Sequence, residues 1–141
     1  MRIIGLDLGE KRIGVAAADD RTQIAVPLTA VAGGDDQIAA ITLLLEAQGA
    51  DEVVIGLPLS MTGAVGRQAQ RALQVVEGLQ ARLVIPVHTW DERLTTVQAG
   101  RSEPARARTG RRSQEEKGKR DAIAAAIMLQ AFLDRRRSVT A

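Results

Sequence analysis

The 141 residues include 45% hydrophobic and 26% charged side chains, a balance that excludes a disordered chain and fits one ordinary domain, able to bury about two-thirds of its unfolded surface. No apolar run approaches the ~20 residues of a membrane span, no signal peptide is expected ahead of the first strand, and the lack of cysteine excludes disulfides and Cys-ligated zinc and suits a reducing cytoplasm. The formal charge of +2 hides an asymmetry: between Arg101 and Arg120 eight basic residues face three acidic ones, leaving the rest of the chain net acidic.

Ile3 to Leu8 read as a strand covered on both faces, and Gly9-Glu10-Lys11-Arg12 as a tight turn into a second, antiparallel strand, Ile13 to Ala18. Ile24 to Val31 continue the meander, with Pro27 marking a sheet edge. Asp35 is a good N-cap for a helix whose apolar stripe is Ile38, Ile41, Leu44 and Leu45 and whose stop is Gly49. Asp51 to Leu57 form a fourth strand, parallel to the first because a helix precedes it. A second helix spans Val65 to Arg82, burying Ala69, Ala72, Leu73, Val76 and Leu79, and a fifth strand runs from Leu83 to Val87. Asp91 to Ala99 suggest a short helix, Gly100 to Arg112 a loop, and Gln114 to Arg137 a last helix with Ala125, Met128, Leu129, Phe132 and Leu133 inward. The expected architecture is a single α/β domain over residues 1–141, with a mixed five-stranded sheet of order 3-2-1-4-5 and helices on both faces.

Within this frame Asp7 is out of place. It interrupts an apolar strand, and a lone buried carboxylate costs several kcal/mol or more unless a cation, a metal or hydrogen bonds answer it. Asp121 lies four residues before Ala125, on the stripe the last helix turns to the sheet; alternatively it serves the helix dipole or pairs with Lys117. Glu92 follows the fifth strand and has its own plain alternative as an acid at a helix start. Three carboxylates converging on one sheet end make hard oxygen ligands suited to Mg²⁺ or Mn²⁺, and such ions can clamp the attacking and leaving oxygens of a phosphodiester. The basic stretch leads directly into Asp121 and suits a phosphate backbone, although a solvated loop would look the same.

Other readings are weaker. The Gly5 to Gly14 hairpin resembles the phosphate clasps of two-lobed ATPases, but the chain has one copy. The Gly56 to Gly63 loop lacks the Gly-Lys-Ser/Thr ending of a P-loop. His88 reads as a strand-end structural residue. Trp90 and Phe132 are the only large aromatics, too few for a base-stacking platform.

Four segments in order, Gly5 to Ala16, Gly56 to Gly63, Asp91-Glu92-Arg93-Leu94-Thr95-Thr96 and Lys117 to Ala125, resemble the YqgF/RuvX family. That resemblance implies an RNase H-like fold, a cytoplasmic protein and metal-dependent phosphodiester hydrolysis. Members are described as Holliday junction resolvases and as nucleases maturing the 5′ end of precursor 16S ribosomal RNA. It places Asp7, Glu92 and Asp121 at the family's acidic positions, as catalytic and metal-holding residues. Where the wider RNase H-like pattern has an acid near the end of the fourth strand, this chain has Gly56-Leu57-Pro58, so Glu92 stands in from the next strand. Lys11, Arg12, Arg93, Thr95, Thr96, Arg106, Arg108, Arg111, Arg112, Lys117 and Lys119 are the candidate nucleic-acid contacts. The leading expectation is an endonuclease of ribosomal RNA maturation. The alternatives are a resolvase of branched DNA, for which symmetric cutting would call for a dimer, and a non-catalytic nucleic-acid-binding module.

Overall fold

The computed structural model describes residues 1–9, 11–33, 36–59, 62, 64–94 and 113–140. Its strands are β1 (Arg2–Leu8), β2 (Arg12–Asp19), β3 (Ala25–Ala32), β4 (Glu52–Leu57) and β5 (Val87–Asp91). Its long helices are α1 (Gln37–Gln48), α2 (Arg67–Arg82) and α3 (Gln114–Thr140). The sheet order is β3-β2-β1-β4-β5, as the connections require. The short turn, closed by the Gly9 N–H donating to the Arg12 carbonyl at 2.9 Å, makes β1 and β2 antiparallel, and the crossovers make β1, β4 and β5 parallel.

Side-chain alternation sorts the core into two layers. Ile4, Leu6, Ile13, Val15, Val53 and Ile55 pack beneath α1 and α2 with Ile41, Leu45, Val76 and Leu79. Ile3, Ala16, Ala18 and Val54 face α3 through Ala125, Met128, Leu129 and Leu133. Each fully buried Ile or Leu contributes about 1.5–3 kcal/mol of transfer free energy, so both faces anchor the central strands. Asp7 alternates with Ile3 and Gly5 and therefore faces α3.

Several local assignments depart from the sequence expectation. The fifth strand is Val87–Asp91, not Leu83 to Val87. Pro86 has no N–H to give the ladder, and its carbonyl instead accepts from the Val53 N–H at 3.1 Å. Leu83 and Ile85 still pack on the core, from the connection. The N-cap of α1 is Asp36, whose carboxylate accepts from the Ala39 N–H at 3.0 Å, one residue beyond Asp35; Asp35 itself lies outside the described residues. On α2 it is Val75, not Leu73, that is buried with Val76. Of the expected short helix, Asp91 closes β5, and only Arg93 and Leu94 are described as helical.

Candidate active site

Glycines set the site's dimensions. A Cβ on Gly14 would lie 2.1 Å from the Asp121 carbonyl oxygen, and one on Gly5 would lie 2.9 Å from Leu129 Cβ. The backbone of α3 can therefore rest directly on the β1–β2 hairpin. Gly14 is the cross-strand partner of Asp7, so this close approach brings Asp121 to the carboxyl end of β1.

The third acid arrives from the other side. The Glu92 N–H donates to the Leu57 carbonyl at 3.0 Å, which fastens the end of β5 to the end of β4. A Cβ on Gly56 would meet Glu92 Oε1 at 2.6 Å. Gly56 is thus the gap through which the Glu92 side chain reaches Asp7. The strand end that lacks an acid of its own supplies the space for its neighbour's.

Burial and company decide the protonation of these groups. Desolvation raises the Asp7 pKa; the hydrogen bond from Glu92 opposes this, and the charge of Asp121 adds to it. Glu92 is pushed up to about 8, first by burial and then by its hydrogen bond with Asp7 and the charges of Asp7 and Asp91. At neutral pH Glu92 therefore keeps its proton and donates it to the Asp7 carboxylate, the arrangement expected of two acids forced together.

Asp121 does not complete the cluster by contact. Its Oδ2 accepts from Arg12 Nε at 2.7 Å, an ion pair with both side chains partly exposed. The Lys117 pairing on the same helix, the plain alternative for this acid, gives way to a cation from β2. Among the described residues no group of three His, Asp or Glu side chains stands close enough to hold a metal ion. The donor set nevertheless suits a hard divalent cation: two carboxylates share one proton where a cation would relieve them both, and the charge of a third, Asp121, acts on Asp7.

The proposed nucleic-acid contacts are distributed unevenly. Lys11 is exposed and Lys117 half-buried near the same sheet end. Lys119 is exposed and lies 3.8 Å from Glu115. Arg93 is turned onto Asp91, with Nε 2.8 Å from Oδ2 and the backbone N–H 3.0 Å from Oδ1; these hydrogen bonds hold Asp91 below the ordinary carboxylate pKa against the smaller effect of desolvation. Thr95, Thr96, Arg106, Arg108, Arg111 and Arg112 lie outside the described residues.

Sequence reasoning overlooked two features. One is the role of Arg12 toward Asp121, hinted at only by its place directly after the turn. The other is a cluster at the opposite end of the sheet. There Glu52, 4% exposed, accepts from Arg136 at 2.8 Å and pairs with His88 Nε2 at 2.7 Å. Arg136 also sits 5.0 Å over the Phe132 ring. His88 is within β5, not at its end, and its role is structural.

A five-stranded mixed sheet with acids gathered at the end of its central strand defines an RNase H-like protein. Solved structures agree on the fold: Thermus thermophilus RuvC in complex with a Holliday junction matches with a TM-score of 0.58 at 16% identity, covering 97% of this chain and 96% of that one. The fowlpox virus resolvase in complex with Holliday junction DNA matches at 0.56 and 8% identity, over 94% and 99% of the two chains. The family model described as "RuvX: Holliday junction resolvase" matches residues 1–135, and the chain belongs to that family. Relatives named "Putative pre-16S rRNA nuclease" include one from Chloroflexus aggregans, 43% identical over 96% of this chain and 95% of its own, and one from Desulforudis audaxviator, 36% identical over 98% and 97%.

Proposed function

We propose that this protein hydrolyses phosphodiester bonds of structured nucleic acid in a divalent-metal-dependent reaction, and that its substrate is precursor 16S ribosomal RNA, in cytoplasmic ribosome maturation. The observation that carries the reading is the desolvated Asp7–Glu92 carboxyl pair, which shares a proton at the end of β1 with the charge of Asp121 acting on Asp7. Such a pair is a standing cost to the fold, and an ion of Mg²⁺ or Mn²⁺ type would convert it into binding energy.

Asp7, Glu92 and Asp121 are the residues that would hold the metal. Bound there, the ion would supply Lewis-acid polarisation of the phosphate and a nucleophilic water at neutral pH. The chain's own groups do the rest. Glu92 would release its proton on binding the ion, because a nearby positive charge favours the carboxylate and would offset the burial and the neighbouring acids that raise its pKa. Gly56 fixes the direction from which Glu92 approaches, while Gly14 and Gly5 fix the height of Asp121 above the sheet. Lys11, Arg12, Lys117 and Lys119, with the basic residues that precede α3 in sequence, provide positive charge for the nucleic-acid backbone.

The names of the relatives, 36–43% identical across nearly the whole chain, support ribosomal RNA. The family description supports a second reading, cleavage of four-way DNA junctions. Side-by-side assays of precursor 16S RNA and a four-way DNA junction with Mn²⁺ discriminate between them. Metal-dependent cutting of the RNA at a defined site with an uncut junction is expected; the reverse favours the resolvase. Binding to either with no cleavage at all would leave a non-catalytic binding module.

A further inference from the structure

The Arg12–Asp121 ion pair is hard to reconcile with a static metal site, because Asp121 spends its carboxylate on an internal cation. Arg12 starts β2 and has a second exposure. It lines a groove of about 670 Å³ between edge strand β3 and the outer flank of α3, whose walls are mostly apolar, with Leu28, Val31 and Ile123, and carry the charges of Arg12, Glu115 and Lys119. The guanidinium thus stands between the acids and a space open to solvent, with a further cation, Lys119, along the same wall. Glu115 offsets Lys119 loosely at 3.8 Å and Asp121 offsets Arg12 at 2.7 Å, and of the two cations lining the groove Arg12 is the one in contact with the acids.

We propose that Arg12 is a positioning residue for Asp121: it holds this carboxylate off the Asp7–Glu92 pair until a nucleic-acid phosphate in the β3–α3 groove draws the guanidinium away. Asp121 then becomes available to the metal only when substrate is present. An Arg fork matches phosphate as well as carboxylate, so the exchange replaces one charge-assisted hydrogen bond by another of the same kind. Linkage requires the effect to be reciprocal: substrate tightens metal binding, and metal tightens substrate binding by the same factor. The inference rests on the metal-site reading above, and the test separates the two.

The test is calorimetric titration of Mn²⁺ into the full-length wild type, Arg12→Gln, Asp121→Asn and the double variant. The proposal predicts that Arg12→Gln tightens Mn²⁺ binding about 5-fold or more, at the lower end of usual coupling factors, and that the same change has no effect in the Asp121→Asn background. Arg12→Lys, which keeps the charge without the fork, should fall between Arg12→Gln and wild type. In a second arm, the affinity for precursor 16S RNA is measured at constant ionic strength with and without Ca²⁺, used to hold off cleavage. The metal should strengthen RNA binding by wild type and lose that effect in Arg12→Gln. An unchanged Mn²⁺ affinity in Arg12→Gln, an equal gain in the Asp121→Asn background, or equal metal dependence of RNA binding in both proteins would overturn the proposal. If Asp7→Asn abolishes Mn²⁺ binding while the Arg12 cycle is flat, only the role of Arg12 fails; if Asp7→Asn binds Mn²⁺ like wild type, the metal site itself fails.

Discussion

Helix α3 lies over carboxylates at both ends of the sheet, enclosed at one end and half-buried at the other, and the two ends treat them in opposite ways. At one end Glu52 is almost fully enclosed, yet Arg136 and His88 answer its charge, so that despite desolvation its pKa is held below the ordinary carboxylate value. At the other, Asp7 and Glu92 face each other and both are raised, Glu92 to about 8. A satisfied buried charge can be explained by structure alone; two desolvated acids that must share a proton, with no cation to answer them, point to a ligand that the fold expects. The same helix therefore locks the domain with its C-terminal half and presents a site with its N-terminal half.

The largest effect expected from breaking this contrast is catalytic. Asp7→Asn should lower metal-dependent cleavage by about 100-fold or more, because loss of several kcal/mol of metal-mediated charge stabilisation corresponds to factors of that size. Nucleic-acid binding by the same variant should persist in a gel-shift or anisotropy assay.

At the satisfied end the effect is on stability. Arg136→Ala leaves Glu52 buried with only His88 and should cost about 3 kcal/mol in urea unfolding, with cleavage per folded molecule unchanged. A mild loss below 1 kcal/mol would show that Glu52 is better solvated than its enclosure implies.

Stability should also depend on pH with opposite signs at the two ends. Glu92 titrates near 4.5 when unfolded and near 8 when folded, so between these values the folded state binds more protons and stability falls as pH rises. Glu52 is depressed when folded, so its contribution is present above the ordinary 4.5 and is lost as pH falls through its lowered value. Unfolding measured in EDTA should therefore be most resistant at mildly acidic pH. Glu92→Gln should remove the decline toward pH 8, on the order of a few kcal/mol, and an unaltered decline would contradict the assignment.

The smallest effects concern the glycines. Gly14→Ala must push against the backbone oxygen of Asp121 and should cost about 1–3 kcal/mol as α3 lifts. Gly56→Ala meets only the end of the Glu92 side chain; it should fold nearly as well as wild type but bind Mn²⁺ more weakly.

Much of this was legible in the residues. The strand order followed from turn lengths and from the periodicity of the helices, which are local signals. Asp7 stood out because an acid in a two-sided apolar strand violates its surroundings, and Asp121 because it shares the stripe of Ala125 and Leu129. The start of β5 was misread because Leu83-Val84-Ile85 has strand composition, whereas its hydrogen bonding begins only after Pro86. The Arg12–Asp121 and Arg136–Glu52 pairs were invisible because they join residues 109 and 84 positions apart, and no local pattern encodes such a pairing. Gly56 appeared as a missing acid, and the three-dimensional arrangement makes it the space that Glu92 needs.

The central claim is that the acids at the end of β1 await a divalent cation, and thermal unfolding at pH 8 with and without Mn²⁺ tests it most directly. The wild type should gain melting temperature with Mn²⁺, because the ion binds only the folded state and relieves the Asp7–Glu92 pair. Asp7→Asn should melt at the same temperature with and without the ion. An equal Mn²⁺-dependent gain in both proteins would contradict the account.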